Sequence, residues 1–214
     1  MAMTSGFNPV QVNSSISAVM TAHAGLMSCL ATKMQTNFVN EMGREWACNK
    51  AIDFFAGFKT AEDGLIQKAD STFQSVVDTM NQAAQNWAAG TDTTYVKKPF
   101  RNFSKRITVE GVIKENINNE RGIDEPAAKA TVNKLAPLAL QADINLQKAV
   151  SAVQNCGFLD STEATNLVAS LGEIKEKIKE SFDEINGKVK DGIDATLTEY
   201  GSIESTNAET FIAK

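Results

Sequence analysis

The sequence predicts an all-α protein, two antiparallel helical hairpins packed as an elongated four-helix bundle. Three observations carry that prediction. Ala51–Trp87 and Ala164–Tyr200 overlay without a gap and pair Phe54 with Leu167, Phe58 with Leu171, Ala61 with Ile174, Leu65 with Ile178, Val76 with Val189 and Met80 with Ile193. Only four prolines occur, at positions 9, 99, 126 and 137, so long helices are permitted almost everywhere. Apolar residues elsewhere recur at three- and four-residue steps, the period of one helix face.

The first helix is expected over about Ser14–Met42. Ile16, Met20, Leu26, Met27, Leu30, Met34, Phe38 and Met42 form its stripe, and Asn13 or Ser14 is the candidate N-cap. Gly43 weakens the pattern, and Glu45–Asn49 forms a bend. The second helix starts near Asn49 as N-cap and follows Phe54, Phe58, Ala61, Leu65, Ala69, Phe73, Val76, Met80, Ala83 and Trp87. A stripe of that length needs a partner throughout, and the short connection makes the first helix that partner.

Residues 90–125 show no sustained period, apart from a short helix or strand expected over Ile107–Ile117. Asp124-Glu125-Pro126 is a helix start, with proline in the first turn where its missing N–H costs nothing. The third helix runs to about Asn155 with a bend at Pro137. A second bend follows at Cys156–Leu159. Asp160-Ser-Thr-Glu163 then caps a fourth helix that reaches about Ser202. The expected organisation is an N-terminal hairpin over 1–90, an irregular connector over 91–125, and a C-terminal hairpin with a tail over 126–214. Identities between the two overlaid stretches are near chance, among them Ala51/Ala164, Asp70/Asp183 and Val76/Val189. Two stacked hairpins do not require a duplication.

At 214 residues, with 43% hydrophobic and 22% charged residues, the chain is long enough and apolar enough for a proper core. A net charge of −5 argues mildly against a nucleic-acid partner. The first residues lack the basic start and apolar centre of a signal peptide, and no uninterrupted apolar run approaches the roughly 18 residues of a membrane span. The expectation is a chain made in the cytoplasm, with no integral membrane segment, that leaves the cell, if it does, without the general secretory signal. Cys29, Cys48 and Cys156 have no Cys-x-x-Cys spacing and read as small buried hydrophobes.

No catalytic constellation emerges. His23 is the one histidine, it lies on the apolar stripe of the first helix, and a packed role suits it. There is no phosphate-binding glycine loop, no Glu-x-x-His pair and no metal-ligand spacing, so no cofactor and no metal are expected and the chain reads as non-enzymatic. Lys97, Lys98, Arg101, Lys105 and Arg106 form a basic run interleaved with Phe100 and Phe103. It reads either as an anionic-surface contact or as a solvated linker whose phenylalanines tuck under the bundle. The acidic whole favours the linker. Trp46, at the first bend, reads as a plug for the open end of the hairpin. Trp87 should pack against the start of the first helix, and an exposed Trp87 would mark a partner surface.

Glu45-Trp46 at a bend, Phe54-Phe55 in the following helix, the close at Asn86-Trp87-Ala88, and Tyr200-Gly-Ser-Ile-Glu204 after the last long helix together give the chain a known look. It resembles the Trp-x-Gly (ESAT-six-like) superfamily of helical hairpins exported by type VII secretion systems of Gram-positive bacteria. The resemblance is specific over Asn37–Gly90. Ala47-Cys48 follows Trp46, so the glycine of the family's bend is absent. The chain is about twice the family's usual length, and its Tyr-x-x-x-Glu closes the half without the tryptophan. The resemblance implies an export signal at Tyr200 and Glu204, one helical turn apart on one face. It also implies, as partner, the secretion machinery or another helical protein, with a homodimer among the assemblies it allows. The rival expectation is an intracellular helical adaptor or targeting domain that binds partner helices.

Overall fold

The computed structural model describes residues 7–113 and 121–212, the last five of these as backbone only. Helix α1 spans Pro9–Glu45 and α2 spans Asn49–Gly90. They are followed by α3 (Glu125–Val132), α4 (Leu135–Gln154) and α5 (Ser161–Ile212). The four long helices pack together as the predicted four-helix bundle: α1 lies against α2 and α4, and α5 closes the ring against α4 and α2.

α1 begins five residues before the expected start. Asn8 is the cap, its side chain accepting from the backbone N–H groups of Val10 and Gln11, and Pro9 takes the first turn. The apolar stripe alone starts later because the first turn is exposed at Val10, where no period is visible. Further along, Leu30, Met34, Phe38 and Met42 are spaced strictly by four and are all fully buried. In an ideal α-helix, four-residue steps drift by about 40° each. The helix answers with π-helical turns over Ser28–Lys33 and Gln35–Val39, which hold more residues per turn and keep the four side chains in line. One 18-residue window of α1 reaches a mean hydropathy of 1.2, apolar and long enough for a membrane span, and half of that window is buried inside the bundle.

The first bend is the extended dipeptide Trp46–Ala47 (β1), which pairs antiparallel with Gly122–Ile123 (β2): Trp46 faces Ile123 and Ala47 faces Gly122. The cap of α2 is Cys48, not Asn49, and makes no side-chain cap bond; the Asn49 side-chain oxygen Oδ1 instead accepts from Arg121. The third predicted helix is divided into α3 and α4 at Asn133–Lys134. Pro137 explains the break, because its ring clashes with the carbonyl four residues back, that of Asn133. The caps of the second half follow the sequence: Asp124 accepts from Ala127 N–H at 3.1 Å, and Asp160 accepts from Thr162 and Glu163 N–H at 2.8 and 2.7 Å.

The connector is the largest departure from the bare hairpin pair. It is an extended strap that leaves the end of α2 and climbs along α1 and α2 to the first bend. Tyr95 and Lys98 meet Asn81, Asn102 and Phe103 meet Asp70, and Ile107 meets Asp63, an ordered descent in α2 numbering. Near its top, Val112 presses on Gly43 of α1, where a Cβ would collide with the Val112 side chain and carbonyl. Of the short element expected over Ile107–Ile117, residues 107–113 are extended chain and a turn, and 114–117 lie outside the described residues. The strap returns the chain to the first bend before α3 begins, so α2 and α4 both run away from that bend while α1 and α5 both run towards it.

Candidate functional site

Two poles of the bundle hold the residues that the sequence singles out. At the upper pole, Trp46 is fully buried. Its indole N–H donates to the Thr196 hydroxyl at 3.0 Å, and the hydroxyl donates to the Gly192 carbonyl at 2.8 Å. The ring packs closely against Gly192, where a Cβ would sit 2.5 Å from it. Phe54 packs beside the indole at a centroid distance of 5.7 Å. Trp46 thus plugs the end of the whole bundle, seated against α5 at Gly192.

Just beyond, α5 leaves the bundle. Tyr200 is half-buried at the exit, with burial and the nearby Cys48 and Glu199 pushing its phenol above the usual value and Arg121 opposing them. The phenol is therefore protonated at neutral pH and available as a hydrogen-bond donor. From Gly201 to Asn207 every side chain is exposed, Ile203 and Glu204 among them, and the helix continues to Ile212. Lys50 of α2 pairs with Glu199 at 3.1 Å where the packed part of α5 ends. Tyr200 and Glu204 share one face of this arm.

At the lower pole stands Trp87, at the end of α2. Its indole N–H donates to the Phe158 carbonyl at 2.6 Å, so it tacks the end of α2 to the bend between α4 and α5, and it stays 38% exposed. The bend itself approaches α1, with Gln11 facing Gly157. A hydrogen-bonding bend carbonyl has no signature in sequence, which is why the partner was not legible.

Between the poles, the strap is tied by a row of polar groups on α2. Asp70 is the centre of it. Its carboxylate accepts from His23 Nε2 at 2.9 Å, from Phe103 N–H at 2.9 Å and from Asn102 at 3.1 Å. His23 is wedged between Phe73 and Phe100, at centroid distances of 5.3 and 4.7 Å. Burial drives its pKa below the usual value, and the Asp70 carboxylate only partly opposes this. A histidine–aspartate pair is a familiar catalytic element, but this one is covered by the strap and serves as a packed tie. Asp63 accepts from Ile107 N–H, and the Asn81 side-chain oxygen Oδ1 accepts from the Tyr95 hydroxyl and from Lys98 N–H. From α1, Gln35 exchanges two bonds with Thr108. Sequence spacing held the clue: Asp63, Asp70 and Asn81 are seven and eleven residues apart, one polar row beside the apolar stripe.

The basic run divides. Phe100 and Phe103 pack on the core, and Lys98 reaches the Asn13 carbonyl and the Ser17 hydroxyl. Lys97, Arg101 and Lys105 point outward and are exposed. One further charged group lies deep in the seam between α2 and α5. Glu62 is 1% exposed, its Oε1 has no hydrogen-bond partner, and its pKa is pushed up to about 8 by burial and by neighbouring Asp63, with the Ser181 hydroxyl opposing. Glu62 is therefore a neutral acid at pH 7. Among the described residues, no group of three or more histidine, cysteine, aspartate and glutamate side chains is arranged to hold a metal ion.

No protein-family model matches the chain, and neither the curated proteins nor the solved structures yield a match.

Proposed function

We propose that this helical protein is a substrate or export partner of a type VII-like secretion system, and that the α5 arm is the part the machinery reads. The observation that supports this most is the arm itself: a helix that leaves the bundle at Tyr200 with every side chain of 201–207 exposed. Gly201, Ser202, Ser205, Thr206 and Asn207 are modest helix formers, so the arm gains little from its own sequence and much from a partner that packs on it. A protonated phenol and a carboxylate on one face offer one hydrogen-bond donor and one anionic acceptor, with Ile203 beside them as an apolar contact. The protein would act by being recognised, with no chemistry of its own.

The test is release of the full chain from a Gram-positive host with the secretion ATPase present or deleted. Release should depend on the ATPase and should fall at least tenfold in a Tyr200→Ala/Glu204→Ala variant. Equal release from both strains, or undiminished release of the variant, rejects the proposal.

A second reading, an intracellular adaptor that binds partner helices, draws on a different observation. Leu140 is 62% and Ile144 36% exposed, one turn apart on α4. Leu140 lines a groove of about 350 Å³ between α4 and α5 whose walls include Leu146, Ile178 and Phe182. Such a groove suits one face of an amphipathic helix. Light scattering across a concentration series discriminates: association that Leu140→Gln/Ile144→Gln abolishes supports the adaptor, and a monomer at all concentrations counts against it.

A further inference from the structure

The basic run on the strap is the one motif that neither the bundle nor the arm consumes. Five cations lie between residues 93 and 109 with no acid among them, and the first acidic residue of the chain is Glu41. The face formed by the strap and the first turns of α1 is thus the cationic side of a protein whose net charge is −5. The carboxylates beneath it are turned inward: Asp63 serves Lys59 and Ile107, and Asp70 serves His23, Asn102 and Phe103.

Main-chain ties at Lys98, Phe103, Ile107 and Thr108 hold the strap in one rotation, so its outward residues stay outward. Lys97, Arg101 and Lys105 then form a row over about 27 Å of extended chain, four residues apart. Lys97 and Arg101 make no ion pair among the described residues, and Lys105 makes only a 3.4 Å contact with the Thr32 hydroxyl. At one end of the row stand the two most exposed large apolar side chains among the described residues, Val10 at 77% and Val96 at 75%. Their segments meet, with the rings of Phe7 and Tyr95 at a centroid distance of 6.2 Å. Lys98, two residues from Val96, bonds the Asn13 carbonyl and Ser17, which share the helix face of Val10.

We propose that this face docks on an anionic lipid surface, with Lys97, Arg101 and Lys105 over the phosphate headgroups and Val10 and Val96 in the interface. Two observations favour lipid over a nucleic acid. Single-stranded nucleic acids are bound by exposed aromatic rings on which bases stack, and both phenylalanines of the strap are turned into the core. Exposed valines at the edge of a cationic row gain from contact with an apolar phase, which a polyanion in water does not offer. The inference stands independently of the export reading.

The experiment is co-flotation of the full chain with vesicles of phosphatidylcholine alone or mixed with phosphatidylglycerol. Binding is expected only to the mixed vesicles and should decline steeply as salt rises from about 0.05 to about 0.5 M. Lys97→Gln/Arg101→Gln/Lys105→Gln should weaken partitioning roughly 100-fold, at about fivefold per cation, with the thermal midpoint unchanged. Val10→Ser/Val96→Ser should weaken it further at fixed salt. Failure to bind the mixed vesicles, equal binding to both, or an undisturbed triple variant overturns the proposal. Salt-sensitive self-association without vesicle binding also overturns it, and assigns the face to the acidic arm of a second copy.

Discussion

The indole of Trp46 and the hydroxyl of Thr196 are joined by a 3.0 Å hydrogen bond across 150 residues of sequence. The bond carries the first hairpin's bend onto the last helix, and Gly192, with no Cβ, leaves the room that lets the ring reach it.

The clasp sets a stability expectation. Trp46→Ala should cost about 3 to 5 kcal/mol, through a large cavity at the bundle end. Thr196→Val should cost about 1 to 3 kcal/mol, because the buried indole N–H loses its acceptor. Gly192→Leu should be as damaging as the cavity, since its Cβ already meets the ring. Urea unfolding followed by circular dichroism measures all three, and a neutral Gly192→Leu would contradict the close approach.

Asp70 should decide whether the strap stays down. Asp70→Ala removes the acceptor for His23, Asn102 and Phe103 at once, a loss of about 2 to 4 kcal/mol if the buried donors go unpaired. Limited trypsin digestion is the readout. Cleavage after Arg101, Lys105 and Arg106 should be slow in the native protein and accelerate in the variant, while the helical signal persists.

Glu62 predicts a loss of stability on the alkaline side. Its carboxyl holds a proton up to about pH 8 in the folded protein, against an ordinary value of 4.5. The folded state therefore binds more protons than the unfolded state between those values, and stability falls as pH rises through that window. His23 acts oppositely: its lowered value makes protonation favour the unfolded chain, so it removes stability as pH falls through about 6.5. Between about pH 7 and pH 8 the Glu62 effect should dominate, at no more than about 1.4 kcal/mol per pH unit. Glu62→Gln should flatten the profile there. A wild-type profile that is already flat would refute the neutral acid.

The two tryptophans should separate optically. Trp46 is fully buried and Trp87 is 38% exposed, so acrylamide should quench about half of the emission readily and leave the rest protected. Trp87→Phe should remove the quenchable part and cost about 1 kcal/mol through loss of the bond to the Phe158 carbonyl. Quenching of the Trp46 emission that remains would show the clasp to be open.

Apolar periodicity made the bundle legible: Phe58, Leu65, Ala69, Phe73, Val76 and Met80 on α2, and Leu171, Ile174, Ile178, Val189 and Ile193 on α5, are buried as their spacing requires. Near the start of α2 the stripe is displaced, with Phe55 and Glu62 buried while Phe54 is half-buried and Ala61 exposed. Capping chemistry made Asp124 and Asp160 legible, because an acceptor before a helix is a local signal. The strap escaped, since an extended chain bound by side chains of another element has no period of its own. Its determinants Asp63, Asp70 and Asn81 sit on a different helix, and only their common face hints at a bound segment. The seat of Trp46 on Gly192 escaped for a similar reason: one small residue in a long helix is unremarkable until the ring that covers it is known. The Tyr-x-x-x-Glu spacing of Tyr200 and Glu204 is visible in the sequence, whereas the point at which α5 ceases to be packed is not.

The direction of α5 has a mechanical consequence. The helix runs from the lower pole to the upper pole and emerges there as the arm, so a pull on the arm acts along the helix axis. The contacts with α2 and α4 line that axis, and they would be loaded together in shear, with the Trp46 ring pressed against the track at Gly192 and the Lys50–Glu199 pair at its mouth. A force applied sideways at the same arm would part those contacts one after another. How the arm is held would therefore govern how much work it takes to draw the chain out.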